Sequence, residues 1–171
     1  MIVREQAGFD VAVRLRQGTA TLGEVYAFIS GLYFRGKLAY VRAFGEGLII
    51  APGLGLVSPE MTVGLEHLER IAAIDVDEQN AAFTEPFIRD AGTLAADQVV
   101  LLGSIATPKY TGPLLEIFGD RLVFPAEFVG RGDMSRGGLM LRCALSGNEL
   151  TYVPVRGAKR RGTRPPKLER L

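Results

Sequence analysis

The stretch Phe124–Leu141, FPAEFVGRGDMSRGGLML, constrains this chain more than any other. It places Gly130, Gly132, Gly137 and Gly138 between an apolar run and a segment with helical spacing. Each glycine inside a helix costs about 1 kcal/mol relative to alanine. Adjacent glycines in the first turns of a helix therefore imply that something must come close to the backbone there. Arg131, Asp133, Ser135 and Arg136 lie in the same stretch. Helix N-termini present unpaired N–H groups and a positive dipole end, so the pattern suits an anion.

The rest of the chain reads as strands alternating with helices. Phe9–Arg16 alternates apolar and polar residues and predicts a strand, followed by a turn over 17–21. Thr21 and Glu24 have capping-box spacing, and Ser30-Gly31 interrupts the helix they start. A second helix covers Leu32–Phe44, with Arg35, Lys37 and Arg42 on its wet face. Leu48–Ala51 and Val99–Leu102 are short and wholly apolar, as strands buried on both faces of a parallel sheet are. Pro52–Glu60 reads as a loop and Val63–Ala72 as a helix capped by Thr62. Residues 81–97 have helical spacing, with Pro86 in or at the first turn. Thr107-Pro108 starts a helix that runs to Phe118 and stops at Gly119. Arg121–Phe124 is a strand, a helix runs from 133 or 135 to Leu145, and Leu150–Val155 is a last strand.

The expected architecture is a three-layer α/β/α domain over residues 1–156, with a central, mostly parallel sheet of four to five strands. Ligands of such sheets bind beyond the carboxyl ends of the strands. The turns over 17–21, 52–60, 104–109 and 125–135 then converge on one edge. Ser104, Thr107 and Lys109 form one half of an anion site there. Arg131, Ser135, Arg136 and the N–H of Gly137 form the other. The structural alternative pairs Arg131 with Asp133 or Glu127 and leaves the glycines to shape turns.

Composition narrows the chemistry. The single cysteine, Cys143, excludes an internal disulfide and a cysteine metal cluster, fits a reducing cytosol, and reads as a buried apolar residue. A lone histidine, His67, flanked by acidic residues, reads as solvated; it excludes a multi-histidine metal site and leaves Ser104 without a triad partner. No metal or cofactor is expected. No apolar run is long enough to span a bilayer, and the expected location is cytoplasmic. The net charge of +1 divides unevenly: residues 156–171 carry seven bases and one acid, against −5 for the rest. The segment 157–171 is expected as a disordered or surface-laid basic tail.

Three stretches, Glu24–Tyr26 (EVY), Leu32–Tyr40 (LYFRGKLAY) and Leu48–Pro59 (LIIAPGLGLVSP), together resemble a pattern in small bacterial YaaA-type proteins of the uracil-DNA glycosylase-like superfamily. The resemblance implies a parallel sheet of about four strands between helices. It carries no motif for an activity.

Three functions follow as expectations. The first is binding of a phosphate-bearing ligand, nucleotide or nucleic acid, at the carboxyl edge of the sheet. The second is a nucleoside or nucleotide hydrolase or transferase with Asp133 or Glu127 as base. The third is a structural role in which the basic tail docks on an acidic partner.

Overall fold

The computed structural model describes residues 2–4 and 7–168. Helices α1 (Asp10–Arg16), α2 (Leu22–Ser30), α3 (Leu32–Phe44), α4 (Leu65–Ala72), α5 (Ala81–Gly92), α6 (Pro108–Phe118) and α7 (Asp133–Ser146) are interspersed with short strands. The strands are β1 (Ala20–Thr21), β2 (Ile49–Ala51), β3 (Gly55–Val57), β4 (Thr62–Val63), β5 (Val99–Val100), β6 (Leu122–Pro125) and β7 (Tyr152–Pro154).

The expected central parallel sheet does not form. Three small sheets replace it: β1–β4, β2–β3 and β5–β6–β7. Among the described residues only β5 and β6 run parallel, pairing Val99 with Leu122 and Val100 with Val123. The other pairs are antiparallel. The apolar run at 48–51 shows why. Pro52-Gly-Leu-Gly55 is a hairpin turn rather than an open loop, because Gly53 and Gly55 have φ of +74° and +89°, angles that favour glycine. The chain folds back so that Ile49, Ile50 and Ala51 pair with Val57, Leu56 and Gly55. Asp90 of α5 fastens the hairpin by accepting the Leu56 N–H at 2.9 Å. Both faces are covered, but by this local partner and α5 rather than by parallel strands.

Phe9–Arg16 is also a helix rather than a strand. Asp10 and Arg14 make an i,i+4 ion pair at 2.9 Å, which only the helical period brings together. The same Arg14 guanidinium grips both carboxylate oxygens of Glu24 at 2.8 and 2.9 Å. Glu24 completes the capping box with Thr21 at the start of α2, and hydrogen bonds from Arg14 first and from the Thr21 backbone second hold its carboxyl down at about 2. The Thr62 region likewise departs from expectation: Thr62-Val63 pairs with β1 and α4 starts at Leu65. Pro86 lies inside α5, beyond its first turn, because Asn80 Oδ1 caps the Ala82 N–H and fixes the start upstream. The junction at Gly31 (φ +58°), the Pro108 start of α6 and the bounds of α3 agree with the sequence reading.

The most extensive contact between elements joins α3 to α7. Gly36 and Gly137 face each other across it. A Cβ on Gly137 would lie 2.5 Å from the Leu32 carbonyl oxygen and 2.7 Å from the Tyr33 Cα. A Cβ on Gly36 would lie 2.7 Å from the Gly137 Cα. The two helices therefore touch backbone to backbone. Met140, Phe128, Tyr40 and Leu150 fill the apolar cluster at this interface. Tyr40, 2% exposed, ties the helix pair to β7. Its hydroxyl accepts the Leu150 N–H at 2.9 Å and donates to the Tyr152 hydroxyl at 2.6 Å. Tyr152 in turn donates to Glu149 at 2.7 Å.

Gly137 and Gly138 are adjacent but differ in environment. At Gly138 an added Cβ meets the movable Arg142 tip at 3.2 Å and Leu168 Cδ1 at 3.6 Å. Gly137→Ala should therefore lower stability by roughly 1–3 kcal/mol through overpacking against backbone. Gly138→Ala should be neutral or stabilise by up to about 1 kcal/mol through helix propensity. Urea unfolding of both variants checks this; equal losses would show that α3 and α7 do not meet at Gly137.

Candidate functional site

The sequence-predicted residues fall into two separate groups. Ser104 accepts the Ala106 N–H at 3.2 Å. Thr107 is the N-cap of α6 without a side-chain capping bond, and its carbonyl accepts the Thr111 hydroxyl. Lys109 lies 5.2 Å from the Tyr110 ring centroid. The parallel pairing puts the loops after β5 and β6 at the same end of their sheet. Even so, Ser104, Thr107 and Lys109 line neither of the two grooves that flank the C-terminal segment. The four-turn edge expected from the sequence lacks its sheet.

The second group surrounds the start of α7. Arg131 donates through Nε to the Glu127 carbonyl and through Nη1 to Ser135 Oγ, each at 3.1 Å. Arg136 is half-buried. It donates to the Phe128 carbonyl at 3.3 and 3.2 Å, covers the Phe128 ring at 5.3 Å and lies 3.8 Å from Asp133. It holds the turn after β6 against α7. Gly137 faces α3, so that helix covers the side expected to receive a ligand. Glu127 accepts the Thr151 N–H through both carboxylate oxygens, at 3.0 and 3.2 Å. Asp133 is exposed, and the N-cap position before it belongs to Gly132. Among the described residues no three His, Cys, Asp or Glu side chains gather as a metal site requires. His67 accepts the Gly64 N–H through Nδ1 at 3.1 Å, so it is half-buried and serves the start of α4 rather than the solvent.

The basic C-terminal segment is laid on the surface. Its backbone crosses the turn after β6 at Gly130 (φ +77°), where a Cβ would lie 3.0 Å from the Thr163 carbonyl carbon. At Gly162 a Cβ would lie 2.6 Å from Val129 Cγ1. From there residues 164–168 run beside α7 and close a groove of about 330 Å³. Arg131, Ser135 and Arg142 line one wall, and Arg164 and Lys167 the other. Leu32, Met134 and the two prolines add apolar surface, and no carboxylate belongs to the described lining. A second groove of about 480 Å³ lies further up the segment, bordered by Arg156 and Lys159.

Lys37, expected on the wet face of α3, is half-buried instead. Its ammonium sits 4.1 Å from the Tyr33 ring centroid. Burial lowers its pKa to about 8; the Arg136 charge adds to the shift and Asp133 opposes it. Lys37 follows Gly36, the residue in contact with α7, so it lies on the margin of the helix interface. The glycine beside it was the available signal, legible once the α7 partner is known.

Compared with protein-family models, curated proteins and solved structures, the chain matches none.

The Lys37 environment makes stability depend on pH in a defined direction. The free amine titrates at 10.5 and the folded one at about 8. Between those values the unfolded chain binds the extra proton, so the Lys37 contribution to stability rises with pH across that window. Thermal melts from pH 7 to 9 should show this rise, below the range where Cys143 and the tyrosines, whose pKa values burial raises, oppose it, and Lys37→Met should remove it. An identical pH profile in the variant would assign the effect elsewhere.

Proposed function

We propose that this chain binds a phosphate-bearing ligand in the groove between α7 and residues 164–168. The observation that carries this reading is the lining. Arg131, Arg164 and Lys167 border one groove with no carboxylate among its described residues. Arginine forks and lysine ammoniums are the groups that recognise phosphate oxygens. Its volume of about 330 Å³ is at the small end of ligand sites, roughly 300–1,000 Å³. That size suits one or two phosphate groups. The groove replaces the sheet edge as the place of binding, with Arg131 and Ser135 retained from the sequence reading.

Calorimetric titration with pyrophosphate, ATP and a twelve-base-pair DNA duplex tests the proposal. At least one should bind, and Arg164→Gln with Lys167→Gln should weaken it roughly tenfold or more, the scale of one charge-assisted contact. Both side chains are exposed, so the double variant should fold as the parent does. Absence of binding by all three probes, or undiminished binding by the variant, would overturn the reading.

A further inference from the structure

We infer that the phosphate-bearing partner is duplex nucleic acid, held through its backbone along the whole C-terminal segment from Arg156 to Lys167. The inference rests on the groove reading and extends it. Six cations and no acids occupy residues 156–168. Arg156 lies 3.4 Å from Asp120. Lys159, Arg160, Arg161, Arg164 and Lys167 are all exposed. Among the described residues none of these five has a hydrogen-bond or ion-pair partner. Five unneutralised cations held this close repel one another, and a polyanion lying along them relieves that repulsion.

The segment is also positioned rather than free. The close backbone approach at Gly130 and Gly162 fastens its middle to the turn after β6. A basic groove lies at each end, one bordered by Arg156 and Lys159, the other by Arg164 and Lys167. A mononucleotide would engage only one end. The eleven steps from Arg156 to Lys167 reach at most about 36–40 Å. The turn at Arg156-Gly157 shortens that reach, so the segment can follow at most about ten phosphates of one duplex strand at roughly 3.4 Å spacing.

Two observations select duplex nucleic acid among polyanions. Single-strand binding draws on aromatic platforms. The one ring lining either groove, Phe124, is 2% exposed and buried in the sheet. A duplex offers a dense, regular row of anions, one charge per roughly 1.7 Å of axis in DNA. An acidic protein partner would need an apolar centre to its interface. Of the large exposed apolar side chains, only Met134 lines a groove beside this segment. Contacts to the phosphate backbone carry no sequence information directly, so recognition should be independent of sequence.

Fluorescence anisotropy with the full chain and random-sequence duplexes of 6, 12 and 24 base pairs tests this. Affinity should rise steeply from 6 to 12 base pairs. For the 12-mer it should fall about a thousandfold between 50 and 200 mM salt. Arg160→Gln with Arg161→Gln should weaken duplex binding at least tenfold and make the salt slope shallower by about 1.8. Neither residue lines the α7 groove, so binding of pyrophosphate or ATP should be unchanged. Affinity independent of length, or a double variant that binds duplex normally, would overturn the inference while leaving the groove reading intact. Tighter binding of single strands or of polyglutamate than of duplex would also overturn it. Failure of every phosphate probe would remove both.

Discussion

Two backbones meet at Gly36 and Gly137, and much of the C-terminal half depends on that meeting. Because neither residue has a Cβ, α3 and α7 approach closely enough for Tyr40 to reach Leu150 and Tyr152. The same approach presses Lys37 and Tyr33 toward Arg136 and Asp133, which is why a lysine on a nominally wet helix face loses solvent. It also fixes the outward side of α7, where Gly138 leaves room for Leu168 and the C-terminal segment can lie flat. One pair of glycines thus determines a helix interface, a hydroxyl relay and one wall of the basic groove.

What could be read from the sequence was what acts over a few residues. The Thr21–Glu24 capping box, the proline at the start of α6, and the glycines that stop α3 and α7 all report on neighbours within one turn. Strand direction is a different kind of property. An apolar run such as 48–51 records that both faces are covered, but not by what. Here the partner is the strand just past Gly53, and α5 supplies the rest. Two-residue strands such as β1 and β5 carry too little pattern to choose a direction. Phe9–Arg16 misled for a related reason. Its period-two pattern is equally compatible with Ala12 and Leu15 facing one core, and the ion pairs of Arg14 decide for the helix.

The glycine pair shows the same limit at the candidate site. Adjacent glycines announce a close approach without saying whether a ligand or another helix makes it. Gly36, far upstream, answers for Gly137, whereas Gly138 meets only side chains, the Arg142 tip and Leu168. Arg136 is similar: an arginine beside glycines suits an anion, yet its donors go to the Phe128 carbonyl and its face to the Phe128 ring. Arg131 keeps a place in the groove because its bonds to Glu127 and Ser135 leave it on the lining. The two arginines differ in their partners, which no local spacing encodes.

Charge alone would not make the C-terminal segment a binding surface. A free basic tail attracts any polyanion but must be ordered on contact, and that loss of entropy opposes affinity. The crossing at Gly130 and Gly162 removes part of that loss beforehand. It needs a positive φ at Gly130 and a bare Cα at Gly162, so a side chain at either position would lift the segment from the turn. Pro165 and Pro166 stiffen the stretch that follows by fixing their own φ. The glycines and prolines that make the tail look disordered in composition are thus the residues that seat it. Its cations stay exposed along the surface, where the proposed row of phosphates would meet them.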